Sequence, residues 1–184
     1  MPSEWATGVT TGDRTPEDQL RPMHEQDLPL VLAWRNHPEV RRYMFSTHEI
    51  TTDEHRRWFE RARQDSARHL LIYEQEQVTL GFVNLHVVDP AAGLADWGFY
   101  VSPQAPRGTG TFLGKAVARH AFGALGLHKL VGQVLKFNER SLRFHLRLGF
   151  QQEGVLREHH FDGTAYHDLV CFGLLRNEWT KNHE

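Results

Sequence analysis

With 184 residues the chain is long enough for one domain with a sizeable core and too short for two ordinary ones. A formal net charge of −2 gives no electrostatic reason to expect nucleic acid as a partner, and the single cysteine, Cys171, excludes an internal disulfide. Apolar runs such as LPLVLAW and LLIY are far too short to span a bilayer, and the first residues lack the basic start and apolar stretch of a secretory signal. The expectation is a soluble cytoplasmic protein with no membrane partner.

Residues 1–18 read as a flexible tail ahead of a single domain over 19–180. QLRPM is a short strand candidate. In HEQDLPLVLAWRNHPEVRRYM, Asp27 is placed to cap a helix and Pro38 forces a break, which predicts two short helices joined at Asn36 to Pro38. THEITTDEHRRWFERARQ predicts a third helix, capped by Thr51 or Thr52, with Asp53 and Glu54 in its first turn and Trp58 and Phe59 facing inward. HLLIYE, VTLGFVNLHVVD and LADWGFYVS then alternate with turn chemistry and predict an antiparallel meander. Beyond a glycine-containing loop, Leu113, Val117, Ala121 and Leu125 recur every four residues and mark a helix with one core-facing stripe. KLVGQVL reads as a buried strand, NERSLRFHLRLGF as a helix, and FQQEGVLREHH and AYHDLVCFGLL as two strands around FDGT. The order is that of a mixed α/β domain. The apolar run LVCFGLL is expected to offer a sheet edge on which a homodimer could form.

The loop QAPRGTG stands at the mouth of a helix, where free backbone N–H groups and the helix dipole suit a phosphate. Arg107 adds a charge able to pair with phosphate bidentately, and Gly108 and Gly110 relieve crowding. By itself the pattern is also that of an ordinary turn into a helix. The loop lacks the Gly-Lys-Ser/Thr ending of a nucleotide-triphosphate loop and the G-x-G-x-x-G of a dinucleotide fold, which leaves coenzyme A as the pyrophosphate cofactor.

VSPQAPRGTG followed by a helix, KLVGQVLKFNERS and FHLRLGF together resemble the Gcn5-related N-acetyltransferase (GNAT) superfamily. The resemblance implies an α/β (α+β) fold with a mixed, mostly antiparallel central sheet flanked by helices, and acetyl-CoA as co-substrate. It implies that Val101, Arg107, Gly108, Thr109, Gly110 and Thr111 line acetyl-CoA, with Asn138 and Ser141 as further contacts. The usual first loop position falls on Ala105, a departure that removes one contact. WRNHPEVRRYMF, EHRRWF, LGFVNL and the C-terminal third narrow the likeness to the PseH type. That group acetylates the 4-amino group of a UDP-linked 4-amino-4,6-dideoxy-N-acetyl-altrosamine on the way to pseudaminic acid. The narrower resemblance places Arg35, Met44, Phe45 and His55 near the nucleotide-sugar, with Arg35 toward the diphosphate and Phe45 or Trp97 stacking on uracil or sugar.

N-acetyl transfer needs a neutral amine near the thioester carbon, donors for the developing oxyanion and a proton donor for the thiolate. Asn138, Ser141 and His145 share one helix face, while Arg140, Arg143 and Arg147 occupy another. The superfamily commonly has tyrosine where His145 stands. At a usual pKa of about 6.5, roughly a quarter of this histidine would be charged at pH 7 and able to protonate or orient the sulfur. Asn138 as a plain helix cap and His145 as a satisfied boundary residue are the alternatives. Asn84 and His86, on one face of FVNLHVV, and Asp96 are candidates for the group or water that takes the amine proton, against simple solvent exposure at a sheet end. Trp34, Trp58 and Phe59 are expected in the core. The histidines form no metal-ligand motif, and no metal is expected. Two rival functions remain: acetylation of a protein N-terminus or other small amine, and a non-catalytic acyl-CoA-binding module.

Overall fold

The structure is a computed structural model that describes residues 18–183. The expected tail lies outside the described residues except for Asp18, which opens the first strand. In chain order the elements are β1 (Asp18–Pro22), α1 (Leu28–Asn36), α2 (Pro38–Arg41), α3 (Thr52–Ala62), β2 (Arg68–Gln75), β3 (Val78–Asp89), β4 (Leu94–Val101), α4 (Thr109–Arg119), β5 (Lys129–Leu135), α5 (Glu139–Leu148), β6 (Gln151–Phe161), β7 (Tyr166–Leu175) and α6 (Arg176–His183).

All seven strands join one sheet in the order β1-β2-β3-β4-β5-β7-β6. Every neighbouring pair is antiparallel except β4 with β5, whose parallel alignment follows from the crossover through α4. That parallel pairing covers only Leu94 with Lys129, Ala95 with Leu130, and Asp96 with Val131. Beyond it, β4 stays on β3 as far as Val101 and β5 stays on β7 as far as Leu135. The sheet therefore splits along its middle.

Alternation along the strands sends one set of side chains to each face. Leu70, Ile72 and Phe82 meet Val31 of α1 and Phe59 of α3 on one face. Val83, Leu85, Ala95, Leu130 and Phe172 meet Leu113 and Val117 of α4 and Phe144 and Leu148 of α5 on the other. Fully burying each such side chain contributes roughly 1.5–3 kcal/mol, so these two layers fix the position of every helix near the split.

Several expectations change. Thr51 caps α3 in a reciprocal box with Glu54, but Asp27 does not cap α1. Its carboxylate is buried and accepts hydrogen bonds from Arg21 at 2.8 and 2.9 Å and from the His24 amide at 2.8 Å. Burial works to raise its pKa; the Arg21 and His24 bonds outweigh that and hold it below the usual carboxylate value. The helix expected through Leu125 is α-helical to Arg119 and continues as a wider π-helical turn over His120–Ala124. The strand holding LVCFGLL is internal, paired with β5 on one side and β6 on the other, so it offers no edge for a homodimer. The edge strands are β1 and β6, and α6 is an element the sequence pattern did not announce. Among the described residues, no helix is long and apolar enough to cross a membrane.

Candidate active site

A cavity of about 1020 Å³ runs through the split. On the α5 face it is lined by Asn138, Ser141, His145, Trp97 and Gly132; on the α1–α3 face it is lined by Asn84, Asp96, Tyr100, Arg35 and His55, with Met44 and Phe45 at its rim. Asn138, Ser141 and His145, expected at the donor, thus open onto the same cavity as Arg35 and His55, expected at the acceptor, while Val101, Arg107, Gly108, Thr109, Gly110 and Thr111 do not line it.

The glycine loop follows directly from the end of β4. Gly108 starts α4 with φ of 94°, a left-handed conformation that favours glycine, and a Cβ at Gly110 would meet nothing within 4 Å. Arg107 and Thr111 are exposed. Thr109 is turned inward instead: its hydroxyl donates to the Pro106 carbonyl at 2.8 Å and only 2% of the residue is exposed. Its side chain shapes the loop and has no free face for a cofactor. The inner edge of β4 from Trp97 to Val101 has no strand partner, so backbone groups there are available to an extended ligand. Exposed cation, open glycines and free strand edge together fit a pyrophosphate joined to a pantetheine arm. Pantetheine-linked acyl groups supply the activated thioester.

The structure corrects the expected charge on His145. Its ring is 4% exposed, stacked on Phe172 with centroids 5.1 Å apart and edged by Phe144 and Phe150. Burial pushes its pKa down to about 4, only partly opposed by the Ser141 carbonyl. Nδ1 lies 2.9 Å from that carbonyl, which can only accept, so the proton sits on Nδ1 and Nε2 carries a lone pair. At neutral pH the ring is uncharged and has no imidazolium to present to a sulfur. Asn138 does cap α5, its Oδ1 accepting from the Ser141 amide at 3.1 Å, while still lining the cavity. Arg140, Arg143 and Arg147 are exposed on the opposite face, as the spacing predicts.

On the other face, Asn84 Oδ1 accepts from Arg68 at 3.0 Å. His86 does not line the cavity; it sits between Asp65 at 3.7 Å and Asp96 at 3.8 Å. Asp96 borders the split at its last paired position, and burial raises its pKa against the opposing pull of His86 and Arg68. Of the three candidate proton acceptors, Asp96 alone combines a place on the cavity with a carboxylate.

Trp97 is also corrected. It is 7% exposed and stacked between neighbours, 4.8 Å from Phe99 and 5.7 Å from Phe150, so its face cannot receive a uracil or sugar ring. Its edge reaches the cavity. Phe45, 54% exposed at the rim, keeps a free surface. His55 is buried and stacked on Trp58 at 5.1 Å, its pKa lowered by burial and then by Arg35.

Arg35 is 9% exposed. Nη2 donates to the Ser46 carbonyl at 2.7 Å, Nη1 is buried without a partner, and among the described residues no carboxylate forms an ion pair with it. Burial lowers its pKa, and Arg41 adds to that. Gly132 was not singled out from sequence. A Cβ there would come 2.8 Å from His145 Nε2 and 3.4 Å from Trp97 Nε1, a close approach that glycine inside an apolar strand can signal.

The acetyltransferase (GNAT) domain family matches residues 19–151, more than half of the chain. A PseH acetyltransferase from Campylobacter jejuni is 29% identical over 126 residues, 67% of this chain and 76% of the relative. The prophage-derived uncharacterized N-acetyltransferase YokL of Bacillus subtilis is 30% identical over 149 residues, 79% of this chain and 83% of its own. The crystal structure of a spermidine N-acetyltransferase from Vibrio cholerae, in complex with CoA and spermine, superimposes with a TM-score of 0.82 at 22% identity over 89% of this chain and 98% of that one. The chain belongs to the GNAT acetyltransferase family, and the split sheet is that fold. It is an acyl-CoA-dependent N-acetyltransferase, which overturns the non-catalytic reading.

Proposed function

We propose that this enzyme transfers acetyl from acetyl-CoA to the amino group of a nucleotide-linked amino-dideoxy sugar, the 4-amino group of a UDP-linked sugar of pseudaminic acid synthesis, a cytoplasmic precursor of surface glycans. The observation that carries the reading is Arg35, a buried guanidinium without a carboxylate partner on the acceptor side of the cavity. A buried charge is costly unless paired, and a phosphate of the acceptor supplies the pair. Arg57 and Arg61 also line this end, and Phe45 offers an exposed ring to the base. The likeness to PseH points the same way. Arg107, Gly108, Gly110 and Thr111 hold the donor's pyrophosphate, with Val101, Asn138 and Ser141 along its arm.

Asp96 takes the proton of the incoming amine, and Asn84 and His86 keep Arg68 and Asp65 arranged around it. Thiol release with UDP-amino sugars, spermidine and peptide amines tests the acceptor; transfer only to spermidine or peptides overturns it. In Arg35→Met, loss of a charge-assisted contact to phosphate, ~1.5–3 kcal/mol, is expected to raise the acceptor's KM by about ten-fold or more, with that for acetyl-CoA unchanged.

A further inference from the structure

The split between β4 and β5 has a closed end, and its closure rests on two residues. The glycine loop lies beyond the C-terminal end of β4, so a donor whose phosphates sit there and whose arm follows the free edge of β4 points its acyl group back toward the last paired residues. Trp97 is four residues upstream of Val101, about 13 Å at ~3.3 Å per residue. At that point the indole edge and His145 both press on Gly132 across the gap, closely enough that an added Cβ would meet both. Behind the indole the interior is filled: Ala95, Leu130 and Phe150 are 0%, 1% and 2% exposed, and Phe150 stacks on Trp97. On the α5 face an acyl chain has nowhere to continue.

We propose that Trp97, seated against Gly132, is the stop that sets acyl length and restricts the enzyme to acetyl and, less well, propionyl donors. A longer chain could escape only through the split to the other face, where Asp96, Val131 and Gln133 line the cavity and the amine must approach. Such a chain takes the amine's place. Butyryl- and hexanoyl-CoA are therefore dead-end inhibitors, competitive with the acceptor. The chemistry is the same for any donor: the amine lone pair attacks the thioester carbon, the tetrahedral intermediate expels the CoA thiolate, and the proton lost by nitrogen ends on that sulfur as the free thiol. Only the fit of the acyl group changes.

The inference depends on acyl transfer at this split and not on which amine is used. The test measures kcat/KM for acetyl-, propionyl-, butyryl- and hexanoyl-CoA with whichever acceptor the screen returns; thioester hydrolysis by water supplies the same ratios if none is accepted. Each methylene in a closed pocket is worth about 10–200-fold, so butyryl-CoA is expected at least about 100-fold below acetyl-CoA. Trp97→Leu is expected to raise the butyryl-to-acetyl ratio by about 30-fold or more. If that variant does not fold, Trp97→Phe is read with propionyl- and butyryl-CoA, where the ratio should rise several-fold. Hexanoyl-CoA used by the parent within ten-fold of acetyl-CoA, or a folded variant that keeps the parent's profile, overturns the proposal.

Discussion

At the scale of single residues, His145 illustrates how burial selects a role. Its histidine pKa falls from the usual 6.5 to about 4 because the ring lies among Phe144, Phe150 and Phe172. Below pH 6.5 the unfolded chain binds a proton here and the folded one does not, so the folded state is favoured above that pH. Stability is then lost as pH falls from 6.5 toward 4, by about 3 kcal/mol from this group. Denaturant titrations across pH 4–7 should show a steeper loss of stability in the parent than in His145→Phe, which keeps only the part due to groups such as His55 and Asp27. The same neutrality predicts that the kcat profile of the parent has no inflection near pH 6.5 arising from His145. Arg35 is the complementary case: a buried guanidinium with no carboxylate partner among the described residues, the observation on which the proposed anionic acceptor rests.

At the scale of elements, the start of α4 depends on a conformation that most residues resist. Gly108 has φ of 94°, with only Phe112 Cε2 near an added Cβ, at 3.9 Å. Any cost of a side chain there is therefore conformational and not steric crowding. Gly108→Ala is expected to destabilise the fold by about 1 kcal/mol, seen as a lower denaturation midpoint at unchanged slope, and to raise the KM for acetyl-CoA as the loop shifts. Helices and strands themselves were legible because their signals are local. The four-residue stripe of α4, the cap of α3 at Thr51 or Thr52 and the alternation of β3 depend on neighbours two to four positions away. Asp27 was misread as a cap because Arg21 claims it, and Arg21 is itself held by Glu74, which lies far along the chain on β2.

At the scale of the whole molecule, the sheet is two half-sheets joined by the short β4–β5 ladder and by the helices packed across both faces. Segment 97–101 of β4 is hydrogen-bonded on its β3 side only. Amides on its free edge should exchange quickly in the unliganded protein and slow by about ten-fold or more with CoA bound, while those of β2 do not change, as hydrogen-exchange mass spectrometry can show. An equal response in β2 would mean that the ligand tightens the molecule generally.

The sequence alone determined the class of fold, and it supplied the expectation of a donor loop and of an acceptor-facing stretch, since each is written in contiguous residues whose chemistry is local. Only the tertiary structure decided the protonation of His145, the burial of the Trp97 ring, the inward turn of Thr109, the internal place of β7 and the closed end at Gly132. Each of these is set by which distant elements pack together, and dielectric surroundings, steric closure and strand neighbours exist only once they have.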